Sequence, residues 1–383
     1  MAAVFPLTGV IRPYAWGSRT ALADLQGRPS PSDAPEAELW LGAHPGDPST
    51  VDGVSLATLI ENDPKGQLGT EVAGEFGVRL PYLMKVLAAA APLSLQAHPD
   101  ADYAKIAWAA QEAGPDAPKN YTDAFHKPEM LVALTPFEAL CGFRDPAESA
   151  SALEAFGIER LSPVVAALRT GVNGLSEAVR TLLTWPADDR AALVEEVVAA
   201  GTSPLAVSIA GFYPGDPGVL VALLLNHVRL EPGEAIWMPA GNLHAYLSGL
   251  GVEIMAASDN VLRGGLTPKR VDVDELLRVL RFEVLEDPIL PATPVSPGVV
   301  TWKVPVREFA LFKYELGTST PPLSLPPAGP RIVLGTVGDV YVAEAVDGTP
   351  VEVTPGTAAY IPAGTGAATA AGLGEIFVAA VAS

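Results

Sequence analysis

Short apolar runs broken by glycine and proline set the texture of the first hundred residues. AELWLGAH (37–44) and LPYLMKVL (80–87) are the clearest. Runs of that length between turn residues read as strands of an antiparallel assembly. Residues 101–113, ADYAKIAWAAQEA, hold no glycine or proline and predict one helix with Asp100 at its N-cap. The texture changes near Asp145. DPAESASALEAF opens with Asp then Pro, a helix start. GLSEAVRTLL (174–183) fits a second helix. PADDRAALVEEVVAAG (186–201) fits a third, with Pro first, acids in its first turn and glycine at its end. DPGVLVALLLNH (216–227) predicts another, with Leu220, Leu223, Leu224 and His227 on one face. The pattern is thus mainly β, interrupted by a helical insert.

Strands resume afterwards, and a phrase returns. EPGEAIWMPAG (231–241) and TPGTAAYIPAG (354–364) agree at six of eleven positions, each after an alternating stretch, VRL or VEV. Turn, strand and Pro-Ala-Gly turn make one hairpin-like unit, and two copies point to two related β-domains. The first copy continues NLHAYLSG and carries His244. The second continues TGAATAAG and has no side chain able to ligate a metal.

Composition narrows the class. Of 383 residues, 49% are hydrophobic and 18% charged, the balance of a globular protein with a substantial core. The formal charge is −20, from 44 acidic and 24 basic residues. No basic footprint for nucleic acid exists, and any phosphate site must be built locally from a few Lys and Arg. The single cysteine, Cys141, excludes an intramolecular disulfide, so a cytoplasmic location is expected. It lies in an apolar run and reads as an inert buried thiol. MAAVFPLTGVIRPYAWGS lacks the basic start and long apolar core of a signal peptide, and no run of about twenty apolar residues predicts a membrane span.

Five histidines are present. In SLQAHP (94–99), Gln96 and His98 share one face of a strand, with Ser94 on the same side. In YTDAFHKPEM (121–130), Lys127 and Glu129 share a face and His126 points the other way. Pro128 donates nothing to a ladder, so an edge strand or bulge is expected there. Gln96, His98, Glu129 and His244 would offer nitrogen and oxygen donors with a position left open, the make-up of a catalytic zinc site near net charge +1. Each piece alone is also what a hydrogen-bonded strand pair, a solvated edge or a structural histidine looks like. His44, in the turn-rich GAHPGDP, and His227, on an apolar helix face, read as structural. The loop SDNVLRGGLTPK (258–269) offers Asp259, Arg263 and Lys269. A glycine-flanked Arg followed by a Lys suits an anion clamp, and a helix start follows in TPKRVDVDELLRVLRF.

YAWGS (14–18), ELWLGAHP (38–45), LPYLMKVL…PLSLQAHPD (80–100), YTDAFHKPEM and above all WMPAGNLHAYLSGLGVEIMAASDNVLRGGLTPK (237–269) closely resemble type I phosphomannose isomerase, a zinc enzyme of the cupin class. The resemblance runs to about residue 285. It implies cupin-type (jelly-roll) β-barrels: the catalytic domain in two parts, 1–144 and 216–290, a helical insert at 145–215, and a C-terminal cupin-like domain without metal ligands at 291–383. It implies one Zn2+ per chain on Gln96, His98, Glu129 and His244, and interconversion of mannose 6-phosphate and fructose 6-phosphate through a cis-enediolate. Arg263 stands at the family's active-site arginine. Ser94, Lys85, Lys127, Tyr246, Glu253 and Lys269 match positions in or near its pocket. Glu253 is the first candidate for the proton carrier and Asp259 the second. The expected partner is a small sugar phosphate, with no nucleic acid or membrane. A monomer is expected, a weak homo-oligomer being left open.

Three rival readings are weighed against this. A non-haem iron oxygenase leaves Gln96 unexplained as a fourth ligand. A sugar-phosphate sensor would bind without turnover. A fused nucleotidyltransferase lacks its glycine-rich nucleotide loop.

Overall fold

Alternate residues of Tyr82–Ala89 face different interiors. Tyr82, Met84, Val86 and Ala88 pack into one apolar cluster, while Leu87 and Ala89 pack into another on the opposite face. The whole strand is buried and has partners on both sides. The computed structural model describes residues 4–114, 119–317, 321–326, 329–346 and 348–382. Among these, strands form two large antiparallel sheets, of eleven and nine strands, and one two-stranded sheet.

The first sheet includes β1 (Glu38–Gly42), β2 (Tyr82–Ala89), β3 (Gln96–Ala97), β4 (Glu129–Ala133), β5 (Phe137–Phe143), β6 (Leu225–Leu230), β7 (Ala235–Met238), β8 (His244–Ala256) and β9 (Leu262–Arg263). β8 is its hub, pairing with β2, β3, β4 and β5. The second sheet includes β10 (Ala310–Leu316), β11 (Arg331–Glu344), β12 (Val351–Val353), β13 (Ala358–Ile361) and β14 (Ala368–Ala380).

The repeated phrase occupies equivalent places in the two sheets. It spans β7 in one and β13 in the other, and each copy leads into a strand of 13 residues. Both Pro-Gly turns close with the same bond, Glu234 N–H to Glu231 O and Thr357 N–H to Thr354 O, each 3.0 Å. Both Pro-Ala-Gly turns close through Asn242 N–H to Pro239 O (3.1 Å) and Thr365 N–H to Pro362 O (3.0 Å).

The sheets share a core. Met84, Val86, Met130, Val132, Val252 and Ile254 meet Trp302, Phe309, Leu311, Ile332, Leu334 and Phe377. Tyr82 Oη–H adds hydrogen bonds to the Pro330 and Ala379 carbonyls. The strand Phe5–Leu7 pairs with β13, so this early segment lies in the second sheet.

Helices pack beside the first sheet. Asp100 caps Ala101–Ala113, and Asp145 caps Pro146–Glu154. Leu175–Leu183, Arg190–Ala200 and Pro204–Phe212 continue the insert. The structure differs from expectation at six places. The 186–201 helix begins at Arg190: residues 187–189 form a turn, and Asp189 binds Arg160 and Trp185 instead of lying in the first helical turn. The 216–227 helix is only Gly218–Ala222, because β5 takes Leu225–Leu230 as a strand partner. His227 therefore points outward, 3.3 Å from Glu138, and is not a core residue. The helix after the clamp loop begins at Val273, capped by Asp272. Pro128 marks no edge or bulge: β4 starts just after it and runs between β7 and β8. Finally, residues 1–100 hold short helices at Ala21–Leu25, Leu56–Asn62, Pro64–Leu68 and Thr70–Phe76 among their strands. No described helix is long and apolar enough to cross a membrane.

Candidate metal centre and its cleft

Three sheet positions converge on one point. Glu129 opens β4, His244 opens β8, and His98 follows β3 by one residue. His98 Nε2 lies 3.3 Å and His244 Nε2 3.1 Å from Glu129 Oε2, and all three residues are buried. The other ring nitrogens fix the tautomers. His98 Nδ1 is 2.7 Å from the Asn260 carbonyl, and His244 Nδ1 is 2.9 Å from the Asn242 carbonyl. A carbonyl only accepts, so Nδ1 carries the proton in each ring and Nε2 presents a lone pair. Burial holds His98 neutral, lowering its pKa to about 4. Its Nε2 is buried with no hydrogen-bond partner.

Two imidazole lone pairs thus face one carboxylate oxygen in a dry site, an arrangement that repels itself unless a cation sits among them. Atoms bound tetrahedrally at zinc distances lie roughly 3.3 Å apart, the spacing found here. The residues fit a zinc-sized cation. Burial raises the Glu129 pKa, but the Lys127 ammonium (Nζ to Oε1 2.8 Å) pulls it the other way, and the carboxyl sits well below its usual range. Gln96 lies opposite His244 on one side and Arg263 on the other.

In front of this cluster is a cleft of about 750 Å³, an ordinary size for a small-molecule site. Gln96, Lys127 and Glu129 line it, with Ser94, Lys85, Tyr246, Glu253, Asp259, Arg263 and Lys269. His98 and His244 are not in its wall.

Lys85 bridges two carboxylates, 3.0 Å from Glu253 Oε2 and 3.5 Å from Glu38 Oε1. Tyr246 Oη–H donates to Glu253 Oε1 at 2.7 Å. Burial raises the Glu253 pKa; Lys85 pulls it back only in part, and Glu129 and Glu38 push it further up. Burial disfavours the Lys85 charge, but Glu253 and Glu38 more than offset this and keep it protonated. Arg263 is half-buried, and among the described residues no carboxylate pairs with it or with Lys269. Asp259, half-exposed, lies 3.3 Å from His44 Nε2. His126 turns away from Glu129 to Glu308 Oε1, 2.6 Å away. Burial raises the Cys141 thiol to about 12, so it is inert.

Sequence reasoning missed Glu38, His44 and Asn260. An acid inside the apolar run AELWLGAH signalled Glu38. His44 is buried, and Gly46 N–H donates to its Nδ1, which leaves Nε2–H directed at Asp259. Nothing in SDN marked Asn260 as buried.

A buried cation-binding cluster beside a cleft with paired acid and base groups defines a metal-dependent enzyme. The family model for the type I phosphomannose isomerase catalytic domain matches residues 4–146. Mannose-6-phosphate isomerase of Escherichia coli (strain K12) is 40% identical over 328 residues, covering 81% of this chain and 83% of that protein. The Homo sapiens protein of that name is 33% identical over 389 residues, covering 91% and 90%. A crystal structure of mannose 6-phosphate isomerase bound with zinc and yttrium matches with a TM-score of 0.91 and 34% identity, covering 100% of both chains. A phosphomannose isomerase variant from Salmonella typhimurium matches at 0.92 and 34%, covering 99% of this chain and 100% of that one. The chain belongs to the type I phosphomannose isomerase family.

Proposed function

We infer that the chain interconverts mannose 6-phosphate and fructose 6-phosphate, with Gln96, His98, Glu129 and His244 holding a zinc ion. The convergence of two Nε2 lone pairs on Glu129, beside a cleft containing Glu253, carries this reading. The relatives' shared activity supplies the substrate. When bound, zinc supplies Lewis-acid polarisation of a substrate oxygen. Arg263 and Lys269 hold the phosphate, for no protein carboxylate competes for them among the described residues. Ser94 contributes a hydroxyl on the wall that bears Gln96.

Glu253 takes the C2 proton of the open-chain aldose. The C2–H electron pair becomes the C1=C2 bond, and O1 takes the negative charge. The O2 hydroxyl proton passes to O1; the electron pair left on O2 then closes the C2=O2 bond, and at C1 the C1=C2 pair takes the proton back from Glu253. Its raised pKa suits a group that must both accept and release a proton. Lys85 and Tyr246 hold its two oxygens in place, Lys127 offsets the Glu129 charge, and Asp259, held beside buried His44, lines the rim.

A coupled assay of mannose 6-phosphate to fructose 6-phosphate tests the reading, run as purified, after chelation and after zinc is restored. Activity lost and regained supports it. Turnover in protein shown to be metal-free rejects the zinc site. Tight sugar-phosphate binding by zinc-loaded protein without turnover favours the sensor.

A further inference from the structure

His98 is held by a residue outside the wall of the cleft. Asn260 lies in the loop between β8 and β9 and has no exposed surface. Its main-chain carbonyl accepts the His98 Nδ1 proton at 2.7 Å. Its carboxamide reaches the segment leading into β4. Oδ1 accepts from Thr122 N–H (2.8 Å), Thr122 Oγ1–H (3.2 Å) and Asp123 N–H (3.4 Å). Nδ2 donates to the Asp123 carbonyl (2.8 Å), Asp123 Oδ1 (3.1 Å) and the Phe125 carbonyl (2.8 Å). The Asn260 N–H is held by Ser258 Oγ at 3.2 Å.

Thr122, Asp123 and Phe125 are therefore tied to Asn260, and Asn260 is tied to His98. The same segment runs on through His126 to Lys127 and Glu129. On its other side, Asn260 is three residues before Arg263, whose strand pairs with Gln96. Asn260 thus joins, through its main-chain carbonyl, one metal ligand and, through its carboxamide, the segment that delivers another. A ligating histidine is oriented by the group that accepts its other ring N–H, and such outer partners govern metal affinity.

We propose that Asn260 is a positioning residue for the metal centre: it fixes the tautomer and aim of His98, and its carboxamide locks that aim to the segment carrying Lys127 and Glu129. The proposal rests on the reading of His98 and Glu129 as zinc ligands. A side chain that served general stability alone would lower the melting temperature and leave the metal site unchanged.

The test measures zinc affinity, not turnover, on the full chain. Zinc Kd is measured by competition with a chromogenic chelator for wild type, Asn260→Ala, Thr122→Val and His98→Ala. The absorption spectrum of each cobalt(II)-substituted protein reports ligand geometry. Asn260→Ala is expected to weaken zinc binding by about 10–100-fold and to alter the cobalt spectrum. Thr122→Val, which removes one hydroxyl from Oδ1, is expected to weaken it by about fivefold. A folded Asn260→Ala protein with wild-type Kd and cobalt spectrum, and only a lower melting temperature, overturns the proposal. Should Asn260→Ala fail to fold, an unchanged Kd in Thr122→Val overturns it instead. His98→Ala separates the two levels: if it keeps wild-type zinc affinity, the ligand reading itself has failed, whatever Asn260 does.

Discussion

Lys85 and Glu253 stand directly opposite each other on neighbouring strands, with Nζ 3.0 Å from Oε2. Both are buried, and Glu38 shares the ammonium from the far side. Lys85→Met would leave two buried carboxylates without their cation. The expected cost is about 3–5 kcal/mol, read by urea denaturation, together with loss of turnover. A change below about 1 kcal/mol would show the three groups to be solvated and the ion pair unimportant.

Glu253→Gln keeps the shape and both hydrogen-bond partners within reach but abolishes the base. Turnover is expected to fall by about 10²–10⁴-fold with zinc content unchanged. Near-normal turnover in zinc-loaded Glu253→Gln protein would move the proton carrier to Asp259, which Asp259→Asn then examines.

Zinc should stabilise the folded chain. At a free concentration 100 times its Kd the expected gain is about 2.7 kcal/mol. His98→Ala should show almost none of this gain at the same concentration, measured as the zinc-dependent shift in urea midpoint. An equal shift in the variant would place the ion elsewhere.

Acidification should weaken the metal-free protein in a defined window. His98 has a folded-state pKa near 4, below the ordinary 6.5, so the unfolded chain binds its proton first as pH falls. Stability is then full above about 6.5 and declines toward 4. The depressed Glu129 acts in the same direction: its contribution is present above its ordinary value of 4.5 and is lost as pH falls through the folded value. Urea midpoints of chelated protein at pH values across this window should drop steadily. A flat profile would mean that neither group is perturbed.

The second sheet has its own buried charge. Arg331 has no exposed surface and donates to the Pro326, Pro362 and Thr365 carbonyls. Arg331→Met would take this donor from buried carbonyls and is expected to cost about 3 kcal/mol. The change in kcat of the surviving folded protein should be negligible, since the metal centre belongs to the other sheet.

Much of this was legible beforehand because it rests on local chemistry. Asp100 and Asp145 announced their helices, and the paired Pro-Gly and Pro-Ala-Gly turns announced two equivalent β-units with one stripped of its histidine. Lys127 and Glu129, two apart, met as expected, although the strand begins only at Glu129. What failed to show depended on distant partners. The leucines of 219–225 satisfy a helical and a strand period equally, and β5 decided between them. Pro128 looked like an edge only because the start of β4 one residue later is set by β7 and β8. Asn260 is an ordinary loop residue until the chain brings Thr122 to Phe125 around it.

The shared core has a consequence for how the chain can vary. Duplication ordinarily frees the spare copy to diverge, be lost or travel into other proteins. Here the second unit, which has no histidine at the matching place, forms the inner wall of the first: Trp302, Phe309 and Leu311 cover Met84, Val86, Val132 and Ile254. Cutting the chain before Trp302 would remove that wall, expose the apolar face it covers to water and leave an oily slab prone to self-association. The copy without chemistry is thus inherited with the other as an indivisible unit, and truncation should yield insoluble material, not a smaller enzyme.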